Sequence, residues 1–559
     1  MINRLILLIV SFNIILCSVP DASGINGAVT SSNRFASNVG INILKDGGNA
    51  IDAAIAVGFA LAVVHPGAGN IGGGGFMVIR LADGTTTTID FRETAPEKAS
   101  RDMFLDDNGD VIEGKSWSTS WASGVPGSVA GFGMAHEKFA TLKWSQLLDS
   151  SILLARGGYA LNYNDANSFN RYHDFLANDP VTSTIFVKDD EFKIGDKLIQ
   201  KDLANTLERI SHNGWQEFYT GKTAKLIQKC MNRTKGLISQ NDLKNYIPVQ
   251  REPITFSYRD HTVYSMPPAS SGGIALAGIL NQLENIDIGS LSFHSADHIH
   301  YLTESQRRVY ADRSTMLGDM DFIPVPISHM ISQEYADNHW MTIDSINATP
   351  SSEILPNEPP AYYESEETTH YSVVDKWGNA VSVTTTINGW FGSGITVDGA
   401  GFLLNNEMDD FSSKPGTPNA YGLVGAKANE IAPGKRMLSS MTPTIVEDPN
   451  GELLLVVGSP GGSTIITTAM QVISNVIDFE MNIEDAVESP RYHHQWLPDV
   501  VFVEKFGYTT ETIDELKERG YNLALRSSIG EANCIMHDPN TNIIHASGDS
   551  RRGASAIAY

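Results

Sequence analysis

Polar and apolar residues alternate along two neighbouring stretches, 370–375 and 379–387. In the first, Tyr371 and Val373 oppose a polar face, and in the second Val381, Val383 and Ile387 oppose Thr384 and Thr386. A period of two predicts strands, and the segment Asp375 to Asn379 between them predicts the turn of a hairpin. With the turn centred on Trp377, residues equally distant on either side face one another, which sets Thr368 opposite Thr386. Directly opposed Cβ atoms lie roughly 4.5–5.5 Å apart, within reach of a hydroxyl–hydroxyl bond. A slip of one residue would abolish that pairing. Further strands are expected at 401–405, 441–446 and 452–458, followed by a helix over 463–478. Residues 34–64 read as two helices parted at Gly47-Gly48, the second so uniformly apolar that it must be buried on most sides. Residues 120–350 read as helix-rich, with no internal repeat. Hairpins followed by helices imply an antiparallel sheet covered by helices.

Two motifs are set aside by their context. Gly67-Ala-Gly-Asn-Ile-Gly72 has the form G-x-G-x-x-G, yet it precedes the strand Phe76 to Leu81 instead of following one. It therefore reads as a loop that lets backbones approach closely, not as a dinucleotide site. Asp106-Asp-Asn-Gly-Asp110 resembles the start of a calcium loop but lacks the closing glutamate, and reads as a turn between short strands.

The chain of 559 residues has no Pro/Ser-rich linker or charge block, so one large domain or two fused lobes is expected. Its net charge of −25 disfavours nucleic acid and anionic membranes as partners. Arg4 followed by the apolar run Leu5 to Cys17 reads as a secretory leader over residues 1–22, cut near Ala22 or slightly earlier. A periplasmic or secreted protein is then expected; the alternative is an uncleaved anchor. Beyond the leader, Cys230 and Cys534 are either two buried thiols or one bridge. The adjacent His493 and His494 cannot both face one ion from regular structure, and no H-E-x-x-H occurs, so neither a catalytic metal nor a cofactor is expected.

Several groups could carry chemistry. A threonine hydroxyl is a weak nucleophile until a base stands beside it. A cut between Glu367 and Thr368 would create that base as the new α-amino group of Thr368 itself, and Glu364-Ser-Glu-Glu367 is polar enough to be a cleavable loop. Gly458-Ser-Pro-Gly-Gly462-Ser463 joins a strand to a helix, so its backbone N–H groups could stabilise an oxyanion, unless it is simply a tight turn. Glu407 and Asp410, in Asn405-Asn-Glu-Met-Asp-Asp410, could hold an ammonium group, although paired acids also serve as solvated faces or helix caps. Arg92 could clamp a carboxylate with help from Ser439 and Ser440; a surface ion pair is its ordinary alternative. The Pro/Gly-rich stretch 414–425 has the length of a lid.

Together the run 368–392, Leu403-Leu-Asn-Asn-Glu-Met-Asp-Asp-Phe411, Arg436-Met-Leu-Ser-Ser-Met-Thr-Pro-Thr444, Gly458-Ser-Pro-Gly-Gly462, Pro490-Arg-Tyr-His-His-Gln-Trp496 and Asp90-Phe-Arg-Glu-Thr-Ala-Pro96 resemble the γ-glutamyltransferases over nearly the whole mature chain. The resemblance implies an α+β fold of the N-terminal-nucleophile hydrolase type, a four-layer αββα sandwich built from both subunits of a self-cleaved proenzyme. The subunits would be 23–367 and 368–559, associated as a heterodimer. It implies glutathione and related γ-glutamyl compounds as donors, with water, amino acids or dipeptides as acceptors. By motif match Thr368 is the nucleophile, Thr386 orients it, and Gly461 and Gly462 form the oxyanion hole. Arg92, Ser439 and Ser440 hold the α-carboxylate; Asn388, Glu407 and Asp410 hold the α-ammonium; Tyr421 resembles the gate of the lid. Glu407 stands where some members carry Gln, and Trp377 and Trp390 are bulkier than expected beside the acceptor. Cephalosporin-acylase-like or polyglutamate-hydrolase activity on the same fold is the enzymatic alternative, and an unprocessed binding protein the non-enzymatic one.

Overall fold

The computed structural model describes residues 21–354, 368–414 and 425–559. Glu367 and Tyr421 lie outside them.

Two seven-stranded antiparallel sheets stack face to face. The first has the order Ser555–Ala558, Gly27–Ser31, Thr369–Asp375, Ala380–Thr386, Gly74–Arg80, Thr86–Asp90 and Val249–Arg251. The second runs Asp21–Gly24, Ile543–Gly548, Asn533–Asp538, Leu453–Val457, Thr444–Glu447, His261–Ser265 and Ile254–Tyr258. Asp21 and Ala22, at the expected end of the leader, are already paired with Ser547 and Ala546.

Helices cover both outer faces, giving the four layers. Arg34–Lys45 and Ala50–Val64 lie on the first sheet. All 15 residues of Ala50–Val64 are buried, among Tyr371, Val373, Val381 and Val383 from the sheet and the helices behind it. Its start is fixed by a capping box between Asn49 and Asp52. Gly272–Leu283 and Thr464–Ile477 cover the second sheet, against Val263, Val446, Leu455 and Val457.

The hairpin forms in the expected register. Thr369 pairs with Thr385, and the ladder runs on to Val374 and Ala380. Extended by one residue it opposes Thr368 and Thr386. The polar face of this hairpin does not meet solvent: it lies between the sheets and is satisfied there. Ser372 Oγ donates to Asn533 O at 2.8 Å, and Ser382 Oγ donates to Val457 O at 3.0 Å while accepting from Thr444 N. His370 Nδ1 lies 2.9 Å from Thr384 Oγ1, and burial pushes this histidine down to about 3, so it is neutral.

Several elements differ from expectation. Residues 401–405 form no strand, only a bridge between Thr396 and Leu403, because Gly399 and Gly401 turn the chain at φ 73° and 77°. The stretch 120–350 is helix-rich but also contributes the strands Val249–Arg251, Ile254–Tyr258 and His261–Ser265. Asp106–Asp110 is a turn closed by a bridge between Leu105 and Val111. Cys230 and Cys534 are separate buried thiols.

At the hairpin turn, Asp375 accepts from the N–H groups of Trp377 and Asn379, and through its other oxygen from Ala50 N at 2.8 Å. One carboxylate thus ties the turn to the first residue of the apolar helix. Asp375→Ala strands these donors and is expected to cost about 1–3 kcal/mol, read as a lowered melting temperature with unchanged specific activity in the surviving folded protein. An unchanged melting temperature refutes this role.

Candidate functional site

Where the central strands end, Thr368 and Thr386 face a cavity with about 40 Å³ of room. Arg92, Asn388, Glu407, Asp410, Ser439, Ser440 and Gly462 share its wall. These residues come from five separate stretches of chain, converging where the two sheets meet.

Each stretch is shaped locally. After Thr386 the backbone turns at Asn388, whose φ of 69° is left-handed. Asn388 N donates to Thr386 Oγ1 at 2.7 Å, directing the threonine's proton away from that N–H. The Asn388 side chain donates to Asn406 O at 3.0 Å, tying this turn to the acidic segment Glu407–Asp410. Gly461 and Gly462, at φ 132° and 55°, carry the chain from the strand Leu453–Val457 into the helix Thr464–Ile477. A Cβ on Gly461 would lie 2.4 Å from Thr464 Oγ1. Gly462 lines the cavity; Gly461, the residue before it in the chain, is not among the lining residues. His493, with Ser463 and Thr467 within hydrogen-bond reach at 3.2 and 2.8 Å, braces this helix start.

The charges are arranged differently from expectation. Arg92 follows the strand Thr86–Asp90 and is fully buried. Its Nη1 lies 2.6 Å from Glu407 Oε2 and 3.6 Å from Glu93 Oε2, and its Nη2 donates to Asp410. The group expected to hold a substrate carboxylate is thus already embraced by the groups expected to hold the ammonium. The Glu407 contact is an ion pair without hydrogen-bond alignment, and among the described residues neither Glu407 nor Glu93 has a hydrogen-bond partner for its carboxylate. Burial raises Glu407 well above the carboxylate range, Asp410 above its ordinary value, and Glu93 to about 8, with attraction to Arg92 only partly opposing. One guanidinium cannot balance three buried carboxylates. Burial therefore favours the neutral form of Glu407, in which it resembles a Gln more than the anion expected from sequence.

The two serines are prepared as donors. Ser439 Oγ accepts from Met441 N at 3.1 Å, and Ser440 Oγ accepts from Arg313 Nη2 at 3.0 Å. Each hydroxyl, with a lone pair engaged, can turn its proton into the cavity. Arg313, another cavity residue, escaped the sequence reading. It ends the helix Ala296–Met316, where Glu304, Arg307, Arg308 and Arg313 are all buried. A long helix without a polar stripe was the available signal.

The bulky tryptophans separate. Trp377 is half-exposed at the turn, roughly 30 Å along the strands from Thr368, and is not near the site. Trp390 lines a different and larger cavity with His65 and Phe169.

A four-layer sandwich with a threonine heading an inner strand, a glycine turn entering a helix and a small polar cavity beside them is N-terminal-nucleophile hydrolase architecture. The comparisons agree. Cephalosporin acylase from Bacillus halodurans superposes with TM-score 0.83 at 25% identity, covering 96% of this chain and 97% of that one. A chain of the γ-glutamyltranspeptidase of Helicobacter pylori superposes with TM-score 0.57 at 45% identity, covering 58% of this chain and 93% of that one. The glutathione hydrolase proenzyme of Escherichia coli (strain K12) is 50% identical over 523 residues, 93% of this chain and 90% of that protein. The sequence profile of the family described as Gamma-glutamyltranspeptidase matches residues 36–559, and the chain belongs to that family.

The acid cluster has a measurable signature. Because folding raises Glu407 above its ordinary value of 4.5, its contribution to stability is present in full below that value and is lost as pH rises through the raised one. Glu407→Gln escapes this loss. Its melting temperature relative to wild type is expected to rise more at about pH 8 than at about pH 5; the same difference at both would sink the assignment.

Proposed function

We propose that this protein is a self-processing γ-glutamyltransferase and glutathione hydrolase. The observation that carries the reading is the convergence of Thr368, Thr386, the 461–462 loop, the Arg92–Glu407–Asp410 cluster and the two serines on one cavity.

In maturation, Thr368 Oγ attacks the carbonyl carbon of Glu367, and the peptide rearranges to an ester with Thr368 nitrogen released as an amine. Water opens the ester, leaving a carboxylate on Glu367 and a free α-amino group on Thr368. That amine, with a reference pKa of about 7.7 to 8, is the base for turnover. It takes the proton of Thr368 Oγ as the oxygen attacks the γ-carbonyl of glutathione, with Thr386 orienting the hydroxyl. The oxyanion forms against the N–H groups of Gly461 and Gly462. Collapse expels the amine, which leaves with the proton, and the γ-glutamyl ester remains. Water or the amine of an amino acid or dipeptide then takes the acyl group and restores Thr368.

The donor's ammonium meets Asn388, Glu407 and Asp410, where its charge opposes the burial that disfavours the ionised acids. Its carboxylate meets Ser439, Ser440 and the arginine side of the cavity. An acylase acting on a glutaryl group would have no ammonium for these acids, which is why the γ-glutamyl reading is preferred. The leader supports export to the periplasm or medium. Among the described residues no helix is long and apolar enough to cross a membrane.

Thr368→Ala is expected to abolish both self-cleavage and turnover, because one hydroxyl serves both. Denaturing electrophoresis with N-terminal sequencing reads the first, as loss of the fragment beginning at Thr368; normal cleavage in the variant refutes the assignment. With the wild type, γ-glutamyl p-nitroanilide is expected to be turned over at least tenfold faster than the glutaryl anilide, since a charge-assisted contact is lost with the ammonium. The reverse preference would identify an acylase.

A further inference from the structure

The cavity bordered by Trp390 has about 740 Å³ of room, against about 40 Å³ beside Thr368. Both lie at the same end of the first sheet. Thr368 precedes the strand Thr369–Asp375, whose neighbours on its two sides are Ala380–Thr386 and Gly27–Ser31. The small cavity lies past the Ala380–Thr386 side, where Thr386 and Asn388 line it. The large one lies past the other side: Ser32 follows Gly27–Ser31, and Arg551 and Arg552 precede Ser555–Ala558, the next strand out. Ser32 Oγ is 3.0 Å from Thr369 Oγ1. Thr368 therefore stands between two cavities, one on each side of its strand.

One wall of the large cavity is aromatic. Trp390 packs edge-on against His65 at 5.2 Å between ring centres, and Phe391 against Phe169 at 5.5 Å. A Cβ on Gly67 would lie 2.4 Å from the Trp390 ring, so the first glycine of Gly67-Ala-Gly-Asn-Ile-Gly72 makes room for the tryptophan. The other walls carry charge: Arg171, Arg526, Arg551 and Arg552 line the cavity with two acids, Asp165 and Glu531. Arg551 is balanced by Glu504 and Asp549 at 2.7 and 3.1 Å. Three arginines are left against two acids, and burial pushes those acids up, Asp165 to about 6 and Glu531 to about 7. In a chain of net charge −25, this concavity is cationic. Arg552 is placed between its walls. Its charge opposes the rise of Glu531 and, after burial, helps to push His65 down to about 4. Its backbone carbonyl accepts from Asn164 Nδ2 at 2.6 Å, which ties it to the helix Tyr163–Arg171.

The amine that leaves glutathione, and the amino acids and dipeptides that replace it, all end in a carboxylate. The 40 Å³ beside Thr368 cannot hold that end as well as the glutamyl group. We propose that the large cavity is the acceptor site, in which Arg552 receives the carboxylate of the entering amino acid or dipeptide while its amine meets the acyl group on Thr368. The acceptor nitrogen bonds to the ester carbonyl carbon and the C–O bond to Thr368 breaks. The proton lost by that nitrogen passes through the Thr368 α-amine to Thr368 Oγ. Trp390 and Phe169 wall the acceptor's side chain. Water needs no such site, so Arg552 governs transfer and not the opening of the ester by water. The inference rests on the γ-glutamyl reading and extends it to the second substrate.

The test uses the mature enzyme with γ-glutamyl p-nitroanilide as donor and two acceptors, glycylglycine and glycylglycinamide, which differ in the terminal carboxylate. In the wild type glycylglycine is expected to have a KM about tenfold lower than the amide; equal values refute the proposal without any variant. In Arg552→Gln, kcat/KM for glycylglycine is expected to fall about tenfold, chiefly through KM, with less than about a threefold change for glycylglycinamide. Equal loss with both acceptors marks a structural effect and overturns the proposal, as does no change with either. Arg552→Lys keeps the charge without the planar fork and is expected to show a smaller loss confined to glycylglycine. It decides the matter if the Gln variant does not mature, since equal loss with both acceptors again refutes. A wild type that hydrolyses the anilide but transfers to neither acceptor overturns the acceptor site and leaves the hydrolase reading standing. A wild type that turns over no γ-glutamyl donor removes the function proposed above, and calorimetric titration with glycylglycine then decides the site alone. Binding about tenfold weaker in Arg552→Gln supports it; equal binding, or none to the wild type, rejects it.

Discussion

The register between Thr369–Asp375 and Ala380–Thr386 sets Thr368 opposite Thr386, and it is enforced far from the cavity. These strands occupy the middle of a seven-stranded sheet and are buried on both faces. Tyr371, Val373, Val381 and Val383 need the apolar helix Ala50–Val64, while Ser372 and Ser382 need backbone oxygens of the opposite sheet. A slip of one residue would press the serines and His370 against the helix and turn Tyr371 between the sheets. Each stranded hydroxyl would cost about 1–3 kcal/mol, and several would be lost together. The opposition of Thr368 and Thr386 is thus a consequence of packing throughout the sandwich.

The cavity departs from that economy of matched partners. It gathers three buried carboxyls around one arginine and leaves a second arginine with hydroxyls alone. Neither side is electrostatically complete.

Much of this was legible in the sequence because period-two alternation and a short turn leave little freedom. The hairpin, the two helices between 34 and 64, and the strand–glycine–helix passage around 458–464 all follow from local pattern. The strands at 254–265 were hidden inside a region dominated by helical spacing, and the glycines at 399 and 401 broke a strand that composition favoured. Motif likeness named residues most of which line one cavity but could not give their mutual arrangement. That Arg92 faces Glu407, and that Arg313 reaches Ser440 from a helix more than a hundred residues earlier, are facts of tertiary packing with no local signature.

The order of strands has a further consequence. In the first sheet, Gly27–Ser31 lies between Ser555–Ala558 and Thr369–Asp375, and Ala380–Thr386 pairs with Gly74–Arg80. In the second, Asp21–Gly24 pairs with Ile543–Gly548 and His261–Ser265 with Thr444–Glu447. Segments from either side of residue 368 are therefore woven through both sheets. A chain cut there would stay together through backbone ladders alone, and its halves could part only by dismantling both sheets. Once dismantled, they would have to find each other by diffusion. Folding of the uncut chain is a first-order process, whereas reassembly after the cut would depend on concentration, so processing would convert a protein that can refold alone into one that is durable mainly because it does not come apart.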